Sequence, residues 1–91
     1  MEENKNEISF KELIEKLHEN GMMYFYLVSL ISSDTLTSIE LCEKSKLQLE
    51  ELIKNIPLTS LTEVEKKKYL DYCYDGIDIC ERDKKEFENI N

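Results

Sequence analysis

Apolar residues near the start of the chain recur at the spacing of a helix. They stand at positions i, i+3, i+4 and i+7, as Phe10, Leu13, Ile14 and Leu17. This spacing predicts a helix with one buried stripe. Ser9 and Glu12 match a capping box at its start, and Asn20-Gly21 is typical of a helix end. Residues 1–7 are charged and polar, so we expect them to form a flexible tail.

The run 22–31, MMYFYLVSLI, is the most apolar part of the chain, and Ser29 is its one polar residue. A buried strand would explain its aromatic and β-branched residues, but the chain offers no second strand to pair with it. We therefore expect a helix buried on most sides, which a small domain needs for its core. The alternative is an apolar patch that serves dimerisation or a partner.

The apolar residues of 37–56, TSIELCEKSKLQLEELIKNI, do not share a single helical stripe. Leu41 and Leu47 fall off the face that the other apolar residues form. A break at Ser45–Lys46–Leu47 would resolve this, because two short helices meeting at an angle could both point their apolar residues into the corner. The rival interpretation is one continuous helix with Leu41 and Leu47 exposed.

A long helix is predicted for the rest of the chain. Ser60 with Glu63 and Thr62 with Glu65 form overlapping start signals, and apolar residues then keep a three-four spacing to about residue 88. Only two glycines and one proline occur in 91 residues, too few for the tight turns of a sheet protein. We predict one all-α domain over 1–91: a compact helical bundle with a helix-turn-helix-like pair and a long C-terminal helix.

The formal net charge of −8 disfavours binding to nucleic acid or to membrane surfaces, and it suits a partner with a basic surface. The longest apolar run is about half the length that spans a bilayer. No signal peptide is recognisable in the acidic, polar start, so we expect a cytoplasmic protein.

The chain has few residues suited to catalysis or metal binding. Three cysteines, at 42, 73 and 80, and a single histidine, His18, provide neither a disulfide framework nor a zinc ligand set. Part of Asp71–Arg82 matches a calcium loop, but Arg82 stands where the bidentate glutamate is needed. We predict no enzyme activity, no metal and no cofactor.

Residues 22–56 resemble the three-helix core of helix-turn-helix and winged-helix regulators. In that family a hydrophobic helix precedes a T-x-x-E-L-A helix, a tight turn and a second helix. Leu41, Cys42, Leu47 and Leu52 take the apolar and small positions of the pattern. Lys46 stands where the family usually has glycine. The resemblance implies a DNA-binding regulator, with Gln48, Lys54 and Asn55 facing the bases.

The segment 61–82, LTEVEKKKYLDYCYDGIDICER, resembles the C-terminal region of the small anti-sigma proteins of T-even-type phages. The shared residues are Leu61, Thr62, Lys66, Lys67, Asp71 and Gly76. Members of that family are acidic, all-helical proteins of similar length that bind a sigma factor of RNA polymerase. The resemblance implies a phage-type inhibitor.

Acidic residues at the start of the would-be recognition helix oppose phosphate, so protein binding is the leading hypothesis. We expect a non-enzymatic regulator or inhibitor whose partner contacts Glu40, Glu43, Glu50 and Glu51 around an apolar groove. A dimeric DNA-binding regulator is one alternative, with the long helix pairing two copies. A helical oligomer that sequesters a small ligand is another, and its candidate residues are Tyr24, Tyr26, Tyr69 and Tyr72.

Overall fold

A computed structural model of the chain describes residues 8–32 and 36–90. Its helices are α1 (Phe10–Glu19), α2 (Met23–Ile31), α3 (Ile39–Asn55) and α4 (Glu63–Ile90), with a 3₁₀ turn, Ile56–Leu58, between α3 and α4. The described ranges contain no strand. The prediction of an all-α bundle with a long C-terminal helix is confirmed. The tail predicted for residues 1–7 lies outside the described residues.

The start and the end of α1 are those that the sequence predicts. The Ser9 hydroxyl accepts a hydrogen bond from the Glu12 backbone N–H at 3.2 Å, and the Glu12 carboxylate accepts one from the Ser9 N–H at 3.3 Å. Gly21 follows the helix with a φ of 70°, a left-handed conformation that costs glycine little. Local capping chemistry therefore determines where α1 begins and ends.

The predicted break at Ser45–Lys46–Leu47 is wrong, because α3 runs without interruption from Ile39 to Asn55. No glycine or proline stands inside it, and a break would leave backbone N–H and C=O groups without helical partners. The continuous helix leaves Leu41 38% exposed and Leu47 63% exposed. The off-stripe leucines thus lie toward solvent instead of in a corner between two helices.

For both α3 and α4 the sequence offers more than one candidate N-terminal cap, and the structure uses one of them. Thr37 with Glu40 has the spacing of a capping box and predicts Thr37 as the cap of α3, but the cap is Ser38, whose hydroxyl accepts from the Leu41 N–H at 3.2 Å. For α4 the box formed is Thr62 with Glu65, at 3.1 and 3.2 Å. Ser60 instead donates its N–H and its hydroxyl to the Glu15 carboxylate of α1.

The core lies where α1 and α2 cover an antiparallel pair formed by α3 and α4. Two ion pairs join α3 to α4, Glu43 with Lys84 and Lys46 with Glu81. The later residue of α3 pairs with the earlier residue of α4, so the two helices run in opposite directions. α1 lies mainly against α3, and α2 mainly against α4. The side chains with under 2% exposure are Ile14, Met23, Leu27, Cys42, Leu49, Leu52, Ile56, Cys73 and Cys80.

The expectation that α2 is buried on most sides is wrong. Met23 and Leu27 are buried, whereas Tyr24 and Phe25 are exposed. A domain of this size has too few elements to surround a helix, so one side of α2 faces solvent.

Gly76 is the point of closest approach between α4 and its neighbours. A Cβ built on Gly76 would overlap Cγ2 of Ile31 from α2 and would lie 2.9 Å from Cδ1 of Leu49 from α3. Cγ2 branches directly from the Ile31 Cβ, and χ1 of isoleucine is stiff in a helix, so moving Cγ2 away requires an unfavourable rotamer or a shift of α2. Glycine in the middle of this helix is therefore required by packing, at a helix-propensity cost of about 1 kcal/mol.

We expect Gly76→Ala to destabilise the fold by about 1–3 kcal/mol, because overpacking outweighs the gain in helix propensity. Urea unfolding followed by circular dichroism measures this. The double variant with Ile31→Ala removes the overlapping methyl, and the two changes should then be less destabilising than their sum. A Gly76→Ala protein that is about 1 kcal/mol more stable than the wild type would show that the contact is not close.

Candidate functional site

The four carboxylates predicted to bind a partner lie on the outward side of α3. At about 100° per residue, Glu40, Glu43, Glu50 and Glu51 fall within a sector of roughly 100°. Leu47 lies near the centre of that sector and is 63% exposed. The buried residues of α3 lie on the opposite side of the helix. We call Leu47 and these four glutamates the acidic face.

A groove of about 840 Å³ runs along one edge of this face, between α3 and α4. Glu43, Lys46, Leu47 and Glu50 line it from α3, and α4 contributes Cys80, Glu81, Arg82, Lys84, Lys85 and Glu88. Of the four predicted carboxylates, Glu43 and Glu50 line this groove and Glu40 and Glu51 do not, and most of the lining residues are charged, with both signs present.

Two ion pairs cross the groove and neutralise part of its charge. Lys46 Nζ lies 2.7 Å from Glu81 Oε2, and Lys84 Nζ lies 2.9 Å from Glu43 Oε2. The hydrogen bond between Lys46 and Glu81 raises the pKa of Lys46 and lowers the pKa of Glu81. Glu40 and Glu50 form no ion pair with any residue that the structure describes, and Lys54, which projects from the same side of α3, offsets only part of the negative charge of the acidic face.

The cysteines of the chain are buried packing residues. Burial raises the pKa of Cys73 to about 12, and burial is also the main cause that raises the pKa of Cys80 to about 11. Burial likewise raises the pKa of Cys42. Thiols that stay protonated at neutral pH are poor nucleophiles and poor metal ligands. Within the described ranges, no three His, Cys, Asp or Glu side chains are placed to hold a metal ion.

The residues of the DNA-binding alternative lie on two sides of α3. Gln48 and Asn55 project from one side, two turns apart, whereas Lys54 projects about 100–120° away from them. The Asn55 side-chain amide donates to the Glu51 carbonyl at 2.7 Å, so this donor is already used within the helix. The turn that would set a recognition helix apart is absent, as described above.

The four tyrosines proposed for a small ligand are also dispersed. The rings of Tyr24 and Tyr72 are 5.5 Å apart, whereas Tyr69 hydrogen-bonds His18. Tyr26 is half-buried against the core, which raises its pKa. None of the four lines the groove between α3 and α4.

His18, for which the sequence pattern predicts no role, connects the end of α1 to the start of α4. Its Nδ1 lies 3.0 Å from the Tyr69 hydroxyl, and its Nε2 lies 3.3 Å from Glu65 Oε2. Glu65 also caps α4, and the backbone hydrogen bond from Thr62 is the main cause that lowers its pKa. The partners are 51 and 47 residues away from His18, so no local pattern could identify them.

Comparison of the chain with protein-family models, with curated proteins and with solved structures finds no significant match. Among the described residues, no helix combines the length and the apolar character needed to cross a membrane.

We expect the native protein to resist thiol-disulfide reagents at neutral pH. A thiol with a pKa of about 12 is ionised to about one part in 10⁵ at pH 7, and the cysteines are at most 1% exposed. The reaction with a chromogenic aromatic disulfide should follow unfolding, and all three thiols should react at once in denaturant. Rapid labelling of Cys80 in the folded protein would contradict the packing described for the groove.

Proposed function

We propose that this chain is a small, non-enzymatic regulatory or inhibitory protein that acts by binding another protein. The acidic face carries this proposal, because Leu47 is an exposed apolar side chain on the same side of α3 as Glu40, Glu43, Glu50 and Glu51. Burying a leucine side chain contributes about 1.5–3 kcal/mol. Surrounding carboxylates would exclude water and select the partner. The partner surface that fits is an apolar pocket bordered by lysine and arginine.

The net charge of −8 supports a basic partner as well. A negative field speeds the encounter with a positively charged surface and disfavours acidic competitors. Proteins that handle nucleic acid have such surfaces, and an acidic protein bound there would block the nucleic-acid site. We therefore propose host transcription or defence machinery as the partner class. The resemblance of residues 61–82 to phage anti-sigma proteins is the support from sequence.

Buried free thiols suit a reducing compartment, and we propose that the protein acts in the cytoplasm.

Charge reversal at Glu50→Lys and Glu51→Lys tests the acidic face. The amount of partner captured from a lysate of the native host, quantified by mass spectrometry, should fall at least about tenfold, which corresponds to about 1.4 kcal/mol. The matched control is Asp78→Lys with Glu86→Lys, which changes net charge equally on exposed residues of α4. Capture by the control should stay near the wild-type level.

A capture that survives reversal at Glu50 and Glu51 would show that a different surface binds the partner. An equal loss in both double variants would show that net charge alone matters. A photo-reactive amino acid at Leu47 should cross-link the partner, whereas the same group at Val64, 79% exposed on α4, should not.

Binding to nucleic acid is tested with the same protein variants. We expect no mobility shift of random duplex DNA even at low salt, where electrostatic binding is strongest. A shift at low salt that disappears steeply as salt rises would favour the DNA-binding alternative.

A further inference from the structure

The exposed side of α2 is an apolar surface that no described part of the chain covers. We call Met22, Tyr24, Phe25 and Val28 the α2 face, and each is between 38% and 63% exposed. The helix itself, Met23–Ile31, contains no charged residue. Together these side chains expose on the order of 400 Å² of largely apolar area, within the range of functional patches on small proteins.

Aromatic contacts hold this face in one arrangement. The ring of Tyr24 packs edge-to-face against Phe25 at 5.8 Å and against Tyr72 of α4 at 5.5 Å. Tyr72 is half-buried against the core, so it fixes Tyr24 to the body of the protein. Side chains that are already ordered lose less entropy when a surface binds them. The α2 face is therefore preorganised for binding.

The rim beside Tyr72 carries one charge of each sign. Lys68 precedes Tyr72 by one helical turn, and Asp75 follows it by about one turn, so all three lie on the same side of α4. Both charged residues are exposed, and neither forms an ion pair within the described ranges. Lys68 Nζ instead lies 5.9 Å from the centroid of the Tyr69 ring. A uniformly basic partner would meet Lys68 unfavourably here.

We propose that the α2 face binds a second copy of this chain in a two-fold dimer. In a two-fold interface, if a residue contacts a second residue of the other copy, the second also contacts the first in return. An axis that passes near Tyr72, between Lys68 and Asp75, therefore brings Lys68 of one copy toward Asp75 of the other. The uncharged helix brings no like charges together, although the whole chain carries −8. Self-association through this surface brings fewer like charges together than pairing through the acidic face would.

The area predicts how strong this dimer is. Two α2 faces bury about 800 Å² in total, and the rim of Tyr72, Lys68 and Asp75 raises this toward the lower limit of about 1,000–1,200 Å² for specific interfaces. We therefore expect a reversible, concentration-dependent dimer. The dimeric alternative from the sequence pairs two copies through the long helix, but Phe87 near the end of α4 packs against the chain's own core. The dimer proposal is independent of the function proposed for the acidic face.

Sedimentation equilibrium over a wide concentration range tests the proposal. The wild type should associate, and Phe25→Glu should lower the association constant at least about tenfold, because it places carboxylates in an apolar interface. The matched control is Tyr74→Glu, since Tyr74 is also an exposed aromatic residue on a helix, at 56%, and projects about 160° away from Tyr72 around α4. Tyr74→Glu should leave association unchanged. Circular dichroism should show the same helix content in both variants.

The rim provides a second measurement. Lys68→Glu and Asp75→Lys should each weaken association, and the double variant should restore it, because opposite charges again meet across the axis. A wild type that stays monomeric throughout, or equal dissociation by Tyr74→Glu, would overturn the proposal. Capture of a different protein through Phe25 by a monomeric chain would assign the face to that partner instead. If the acidic face captures no partner while the chain still self-associates, only the proposed function is overturned.

Discussion

Three helices meet at Gly76, and the remaining contacts depend on how closely they approach there. Because the glycine has no side chain, Ile31 of α2 and Leu49 of α3 both reach the backbone of α4. The close approach positions α2 along α4, and it fixes the separation of α3 from α4. The groove beside the acidic face and the contact between Tyr24 and Tyr72 both follow from these two separations. One missing Cβ thus sets the geometry of both candidate surfaces.

The helices themselves could be predicted because their ends are determined locally. Ser9 with Glu12 and Thr62 with Glu65 are capping boxes in the sequence and in the structure. The break expected in α3 failed for a physical reason. Leu47 was assumed to need burial, but a folded protein exposes much apolar surface, so one exposed leucine does not interrupt a helix. Backbone hydrogen bonding over the whole length of α3 outweighed the burial of one side chain.

The candidate surfaces were less predictable, because each depends on contacts between distant parts of the chain. The glutamates could be placed on one helix from their spacing, but the pairing of Glu43 with Lys84 depends on the antiparallel arrangement. The exposure of Phe25 depends on which side of α2 meets α4. No pattern within MMYFYLVSLI distinguishes that side, since nearly every residue in it is apolar. Only tertiary structure separates the core residues of α2 from its exposed ones.

The two proposed surfaces differ in chemistry and share no residue. The acidic face combines charge with one apolar side chain, which suits selective capture of a basic protein. The α2 face is apolar with a balanced rim, which suits self-pairing. A dimer formed through α2 would present two acidic faces, and a partner with repeated basic surfaces would then bind with an effective concentration set by the rigid dimer. Such a dimer could hold its target tightly even though each acidic face relies on a single exposed leucine.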